Sequence, residues 1–127
     1  MKPLNTVSLF VVSTILTGCV NTAEVSRNSL DGSYSGNGDN ASLSMFVQGQ
    51  NANLILKGRG CLGEIQGRVD ELSNGNWTVS TAEFGQSCKV TMKQDGPLSY
   101  IVDQGPGCSS FHGAACGFSG YVRKTGS

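Results

Sequence analysis

The stretch Ser42-Leu43-Ser44-Met45-Phe46-Val47, the turn Gln48-Gly49-Gln50-Asn51 and the stretch Ala52-Asn53-Leu54-Ile55-Leu56-Lys57 decide the fold. Leu43, Met45 and Val47 alternate with Ser42, Ser44 and Phe46, and Ala52, Leu54 and Leu56 alternate with Asn53, Ile55 and Lys57. A period of two puts one set on a buried face and the other in solvent, which is the pattern of a half-buried strand and not of a helix. Two such runs joined by a short glycine-containing turn predict a β-hairpin.

The same period extends in both directions from this hairpin. Ile65 and Val69 alternate with Glu64, Gln66 and Arg68, and Trp77 and Val79 with Thr78 and Ser80. Cys88, Val90 and Met92 alternate with Lys89, Thr91 and Lys93, and Leu98, Tyr100 and Val102 with Ser99, Ile101 and Asp103. A last run sets Cys116, Phe118 and Val122 against Tyr121 and Arg123, and the first strand is placed at Gly32–Ser35. Turns are expected at Gly36-Asn37-Gly38, Gln48–Asn51, Asn74-Gly75-Asn76 and Asp95-Gly96-Pro97, where Gly and Asn tolerate positive φ and Pro presets its own. No segment beyond residue 30 sustains a helical period. The expectation is an all-β chain of about eight short antiparallel strands, curled into a small barrel or a two-sheet sandwich.

The amino terminus follows a different logic. Lys2 supplies a positive start, Val7–Leu16 an apolar run, and Leu16-Thr17-Gly18-Cys19 ends it with small residues directly before a cysteine. Ten residues are too few to span a bilayer, which takes about 20. The motif resembles the lipobox of bacterial lipoproteins. The resemblance implies a signal peptide over 1–18, cleavage before Cys19, and acylation of Cys19 as the membrane anchor. In that family an aspartate after the acylated cysteine commonly retains the protein at the inner membrane; Val20 stands there, so the outer membrane is expected, with the domain facing the periplasm. Two or three acyl chains on one residue hold a protein to a membrane without a spanning segment. Residues 19–30 then form the acylated cysteine and a flexible tether, eleven residues of which reach at most about 36 Å. The β-rich domain is assigned to 31–127.

Removing 1–18 from the 127 residues leaves 109, enough for one domain. Lys2 leaves with the signal peptide, so eight Lys and Arg remain against nine Asp and Glu, a net charge of minus one. The signs are interspersed, and no basic stripe suits phosphates, so nucleic acid is not an expected partner. With Cys19 assigned to lipid, Cys61, Cys88, Cys108 and Cys116 remain, an even number in a chain sent to an oxidising compartment. Two disulfides are expected. The cysteines lack the close pairs of a zinc site, so no metal and no cofactor is expected. Cys108 paired with Cys116 and Cys61 with Cys88 is the favoured arrangement, because the glycine-containing segment 108–116 could turn back on itself.

That segment also holds the densest chemistry: Ser109, Ser110, Phe111, His112 and Gly113, with the sole histidine of the chain. A nucleophilic reading takes Ser109 or Ser110 with His112 as base and Asp103 as its orienter, but no Gly-x-Ser-x-Gly elbow supports it. Asp70 and Glu71 are adjacent, so on a strand they point to opposite faces and do not form a glycosidase pair. No catalytic residue is assigned and the chain is read as a non-enzyme. A disulfide-closed loop carrying Phe111 and His112 suits recognition instead, because a rigid loop loses little entropy on binding. A lipid-anchored β-domain with two disulfides is similar in plan to the membrane-bound lysozyme inhibitors. This similarity implies a binding or inhibitor module whose partner is a cell-wall hydrolase. The alternative is a structural or envelope-maintenance lipoprotein without inhibitory activity.

Overall fold

The computed structural model describes residues 30–126; the lipobox, Cys19 and nearly all of the tether lie outside the described residues. Eight antiparallel strands run in chain order: β1 (Gly32–Asp39), β2 (Ala41–Gln48), β3 (Asn51–Gly58), β4 (Cys61–Glu71), β5 (Trp77–Glu83), β6 (Gln86–Gln94), β7 (Ser99–Gln104) and β8 (Gly117–Gly126). Each strand pairs with the next and β8 pairs back onto β1, so the sheet is a closed barrel rather than a sandwich. Closure gives every strand two neighbours, and among the described residues the β4–β5 seam is open where Glu64–Gly67 of β4 and Thr81–Glu83 of β5 do not pair.

The expected hairpin is present as β2 and β3, and its register brings the two inward sets together. Leu43 faces Leu56, Met45 faces Leu54 and Val47 faces Ala52 across β2 and β3, and all six are buried. Their neighbours Ser42, Ser44 and Phe46 are exposed. Ile65, Val69, Trp77, Val79, Cys88, Val90, Met92, Tyr100, Val102, Phe118 and Val122 join them in one core cluster. A barrel of eight strands is just wide enough for such side chains to fill its interior.

Two expectations about local structure are corrected, and one turn had not been expected. Gly36-Asn37-Gly38 is not a turn but the second half of β1, and the chain reverses one position beyond β1, at Asn40, which has φ of 60°. Gly36 is needed here for another reason. A side chain on it would collide with the Tyr121 carbonyl of β8, as one on Gly120 would with the Asn37 carbonyl, so the two glycines let β1 and β8 approach at the closing seam. Leu98 does not continue the inward set of β7. It precedes the strand with φ of 61° and is about half exposed. A turn that carried little sequence warning lies at Phe84-Gly85, where both residues have positive φ, the requirement of a two-residue hairpin.

The two barrel ends differ. At one end the short β2–β3 turn and the β4–β5 and β6–β7 connections surround a mouth into which Tyr34, Trp77 and Tyr100 converge. Their ring centroids lie 5.5 to 6.1 Å apart in tilted and edge-on contacts, a favoured geometry for aromatic rings. The Tyr34 hydroxyl donates to the Leu30 carbonyl at 2.7 Å and fixes the start of the domain. The other end carries the long connection between β7 and β8.

Candidate functional site

The β7–β8 connection, residues 105–116, is no simple hairpin loop. Gly105 N–H donates to the Lys89 carbonyl at 2.9 Å and so prolongs the β6–β7 ladder by one step. Gly107, with φ of 87°, then turns the chain into a single 3-10 turn, Cys108–Phe111. From there the backbone reaches β4: His112 bridges Gly63, and Gly113 N–H donates to the Leu62 carbonyl at 3.0 Å. Finally the Asn40 side-chain amide donates to the Ala115 carbonyl at 3.3 Å, beside the start of β8. The connection therefore crosses from β6 to β4 and then to the β1–β8 seam.

The disulfides follow this path, and the expected pairing is corrected. Cys108 is joined to Cys88 of β6, and Cys116 to Cys61 at the start of β4. Cys108 and Cys116 do not close a loop of their own, because the connection is a strap between strands rather than a turn returning on itself. Cys61 and Cys88 sit on strands separated by β5, and each takes the end of the strap that lands beside it. The β4–β5 ladder explains why the strap is needed. Only Arg68–Glu71 pair with Trp77–Ser80, so the first part of β4 runs on beyond β5 and is met by His112 and Gly113 instead.

The residues proposed for recognition divide into two groups. Ser109 and Ser110 are exposed, together with Ala114 and Ala115. Phe111 is half-buried and packs against the core, while the His112 ring lies edge-on to Phe118 at 5.4 Å. His112 Nδ1 lies 2.6 Å from the Gly113 carbonyl oxygen; a carbonyl only accepts, so Nδ1 carries the proton. Nε2 is buried and, among the described residues, has no hydrogen-bond partner. Gly63 makes room for this residue. A Cβ on Gly63 would stand 2.6 Å from the His112 Cβ and 3.0 Å from the Phe111 carbonyl oxygen.

The residues of a nucleophilic reading are engaged separately. Ser110 Oγ contacts Gln86 Oε1 at 3.2 Å, Asp103 is paired with Lys93 at 3.4 Å, and His112 bonds its own neighbour. Asp70 faces Arg68 at 3.7 Å on the exposed outer wall. Among the described residues no group of three or more His, Cys, Asp or Glu could hold a metal ion, and no helix is long and apolar enough to cross a membrane.

Two concavities went unnoticed in the sequence. At the mouth, a cavity of about 310 Å³ is lined by Leu30, Leu72, Trp77, Leu98 and Tyr100, with Asn76 and Gln94 at its rim. The indole Nε1 of Trp77 is buried there and has no hydrogen-bond acceptor among the described residues. On the outer wall of β2–β4 a trough of about 520 Å³ is lined by Phe46, Asn53, Gln66 and Arg68. Phe46 on the polar face of β2 was the available signal for the trough. Its neighbours on β3 and β4 are set by register, which alternation within one strand does not specify.

Comparison with protein-family models, with curated proteins and with solved structures finds no match to this chain.

Proposed function

We propose that this chain is an envelope lipoprotein, acylated at Cys19 and held at the outer membrane, whose periplasmic barrel acts as a binding or inhibitor module for a cell-wall hydrolase. The anchor rests on Leu16-Thr17-Gly18-Cys19 at the end of an apolar run. The observation that carries the binding role is the strap. Its two disulfides tie residues 108–116 to β6 and β4, so Ser109, Ser110, Ala114 and Ala115 are presented on backbone that is already ordered. A partner meeting such a surface pays little ordering entropy, which is what lets a small domain bind tightly. Phe111 and His112 serve this reading from beneath, by seating the strap on Phe118 and the core.

The anchor and the module are tested separately. Cys19→Ser removes the acyl acceptor, so the protein should leave the detergent phase and the membrane fraction. For the module, the full chain in detergent micelles is added to muramidase lysis assays. Lysis should slow at near-stoichiometric ratio and recover when Ser109→Trp is used, since a bulky residue there blocks contact without entering the core. Unchanged lysis with every muramidase class tested would sink the inhibitor reading.

A further inference from the structure

The outer trough stands on residues the strap does not use. Phe46, Asn53 and Gln66 are directly opposite one another across β2, β3 and β4, and the next outward row is Gln48, Asn51 and Arg68. Asn53 is the shorter side chain at the centre of its row, half-buried between an exposed Phe46 and an exposed Gln66. The trough measures about 520 Å³, within the roughly 300–1,000 Å³ of ligand pockets. Four primary amides, Gln48, Asn51, Asn53 and Gln66, face it with one aromatic ring, and Glu83 stands with Arg68 as the only charged residues of its lining.

This combination selects a chemistry. Each amide offers donor and acceptor in one plane, which matches pairs of neighbouring hydroxyls. The face of Phe46, about half exposed, carries the negative side of its quadrupole and suits the C–H face of a sugar ring. One Arg and one Glu leave the lining with no net charge, so it does not favour a polyanion. Asn53 Oδ1 is buried and has no donor among the described residues. Its terminal torsion is soft, so the side chain can turn that oxygen toward a hydroxyl bound in the trough. Over β3, which is paired along its length with β2 and β4, only side chains remain to bind, and the Glu64–Gly67 stretch of β4 that β5 does not pair lies at the margin of the trough rather than under Phe46 and Asn53.

We propose that the β2–β4 trough is a binding site for a neutral, hydroxyl-rich glycan chain, with Phe46 stacking on a sugar ring and Asn53 and Gln66 bonding its hydroxyls. The site is independent of the hydrolase reading, and a negative lysis assay leaves it standing. Calorimetric titration of the full chain in detergent micelles with N-acetylglucosamine tetramer tests it. Saturable binding is expected, weakened roughly tenfold or more by Phe46→Ala and by Asn53→Ala, as for a central contact residue, and kept by Phe46→Trp and by Tyr121→Ala on β8. All three positions lie on the outer wall, so melting temperatures serve as the check that each variant is folded. Absence of saturable binding at millimolar tetramer overturns the proposal. So does binding that Phe46→Ala and Asn53→Ala leave unchanged, or binding to cell-wall fragments that requires their peptides and does not extend to the tetramer.

Discussion

Tyr34 joins the start of the domain to the aromatic cluster at the mouth, and its hydroxyl is the clearest pH-sensitive group in the barrel. Burial pushes its pKa well above the usual tyrosine range, with Tyr100 and Asp31 adding to the rise. The neutral form is therefore the one that the fold holds. A group whose folded pKa is raised supplies stability that is complete below its unfolded value, about 10, and is lost as pH climbs from there toward the folded value. Tyr34→Phe should cost about 0.5–1.5 kcal/mol at neutral pH, through the lost bond to the Leu30 carbonyl. It should also flatten the alkaline decline seen in urea titrations above about pH 10. An equally steep decline in the variant would place the titration elsewhere. Gly63 gives a prediction of opposite kind, steric and independent of pH. Because a Cβ there meets the His112 Cβ and the Phe111 carbonyl, Gly63→Ala should lower stability by about 1–3 kcal/mol. Gly126→Ala, with nothing within 4 Å, should stay within about 0.5 kcal/mol.

The strap behaves as an element although it contains no strand. Loop-closure entropy assigns the Cys61–Cys116 bond, which spans 55 residues, about 4 kcal/mol, and the Cys88–Cys108 bond, which spans 20, about 3 kcal/mol. The bonds are nested, so removing both should cost less than their sum. Peptide mapping without reduction should return these two pairs, and Cys61→Ala with Cys116→Ala should lower the denaturation midpoint more than Cys88→Ala with Cys108→Ala. The reverse order would mean that the strap is held chiefly at β6. The strap also marks where the sequence stopped being legible. Leu43, Met45 and Val47 betray β2 because burial of one face writes itself into every second residue. The cysteine pairing depends on which strands stand beside the strap after the barrel has closed, and that is a property of the whole sheet. Gly36 misled for a related reason: a glycine serves a tight turn and a close strand crossing equally well, and nothing local tells the two apart. Phe84 left no signal at all, since its positive φ is imposed by the hairpin and tolerated because the side chain is almost fully exposed. Phe46 was legible as outward but not as part of a trough, because Asn53 and Gln66 join it only through register.

At the scale of the molecule, the barrel and its strap share the task of stability. A domain of this size is stable by about 5–15 kcal/mol, and two disulfides of about 3 and 4 kcal/mol are a large fraction of that. The core alone is well filled, with Leu54, Val79, Val90, Phe118 and Val122 fully buried, but about a hundred residues bury a limited share of their surface. The oxidised protein should therefore stay folded under conditions where the reduced one does not. The single tryptophan reports on this directly, since Trp77 is 1% exposed between Tyr34 and Tyr100. Heating in the presence of a thiol reductant should red-shift its emission well below the melting temperature of the oxidised chain, by some tens of degrees if each kcal/mol is worth roughly 4–8 °C. Trp77 sits at the mouth, at the opposite end of the barrel from the strap, so an early red shift there means that reduction unfolds the barrel as one unit. If the reduced protein instead keeps its blue emission to the oxidised midpoint, the ladder of eight strands holds alone and the disulfides act only on the strap.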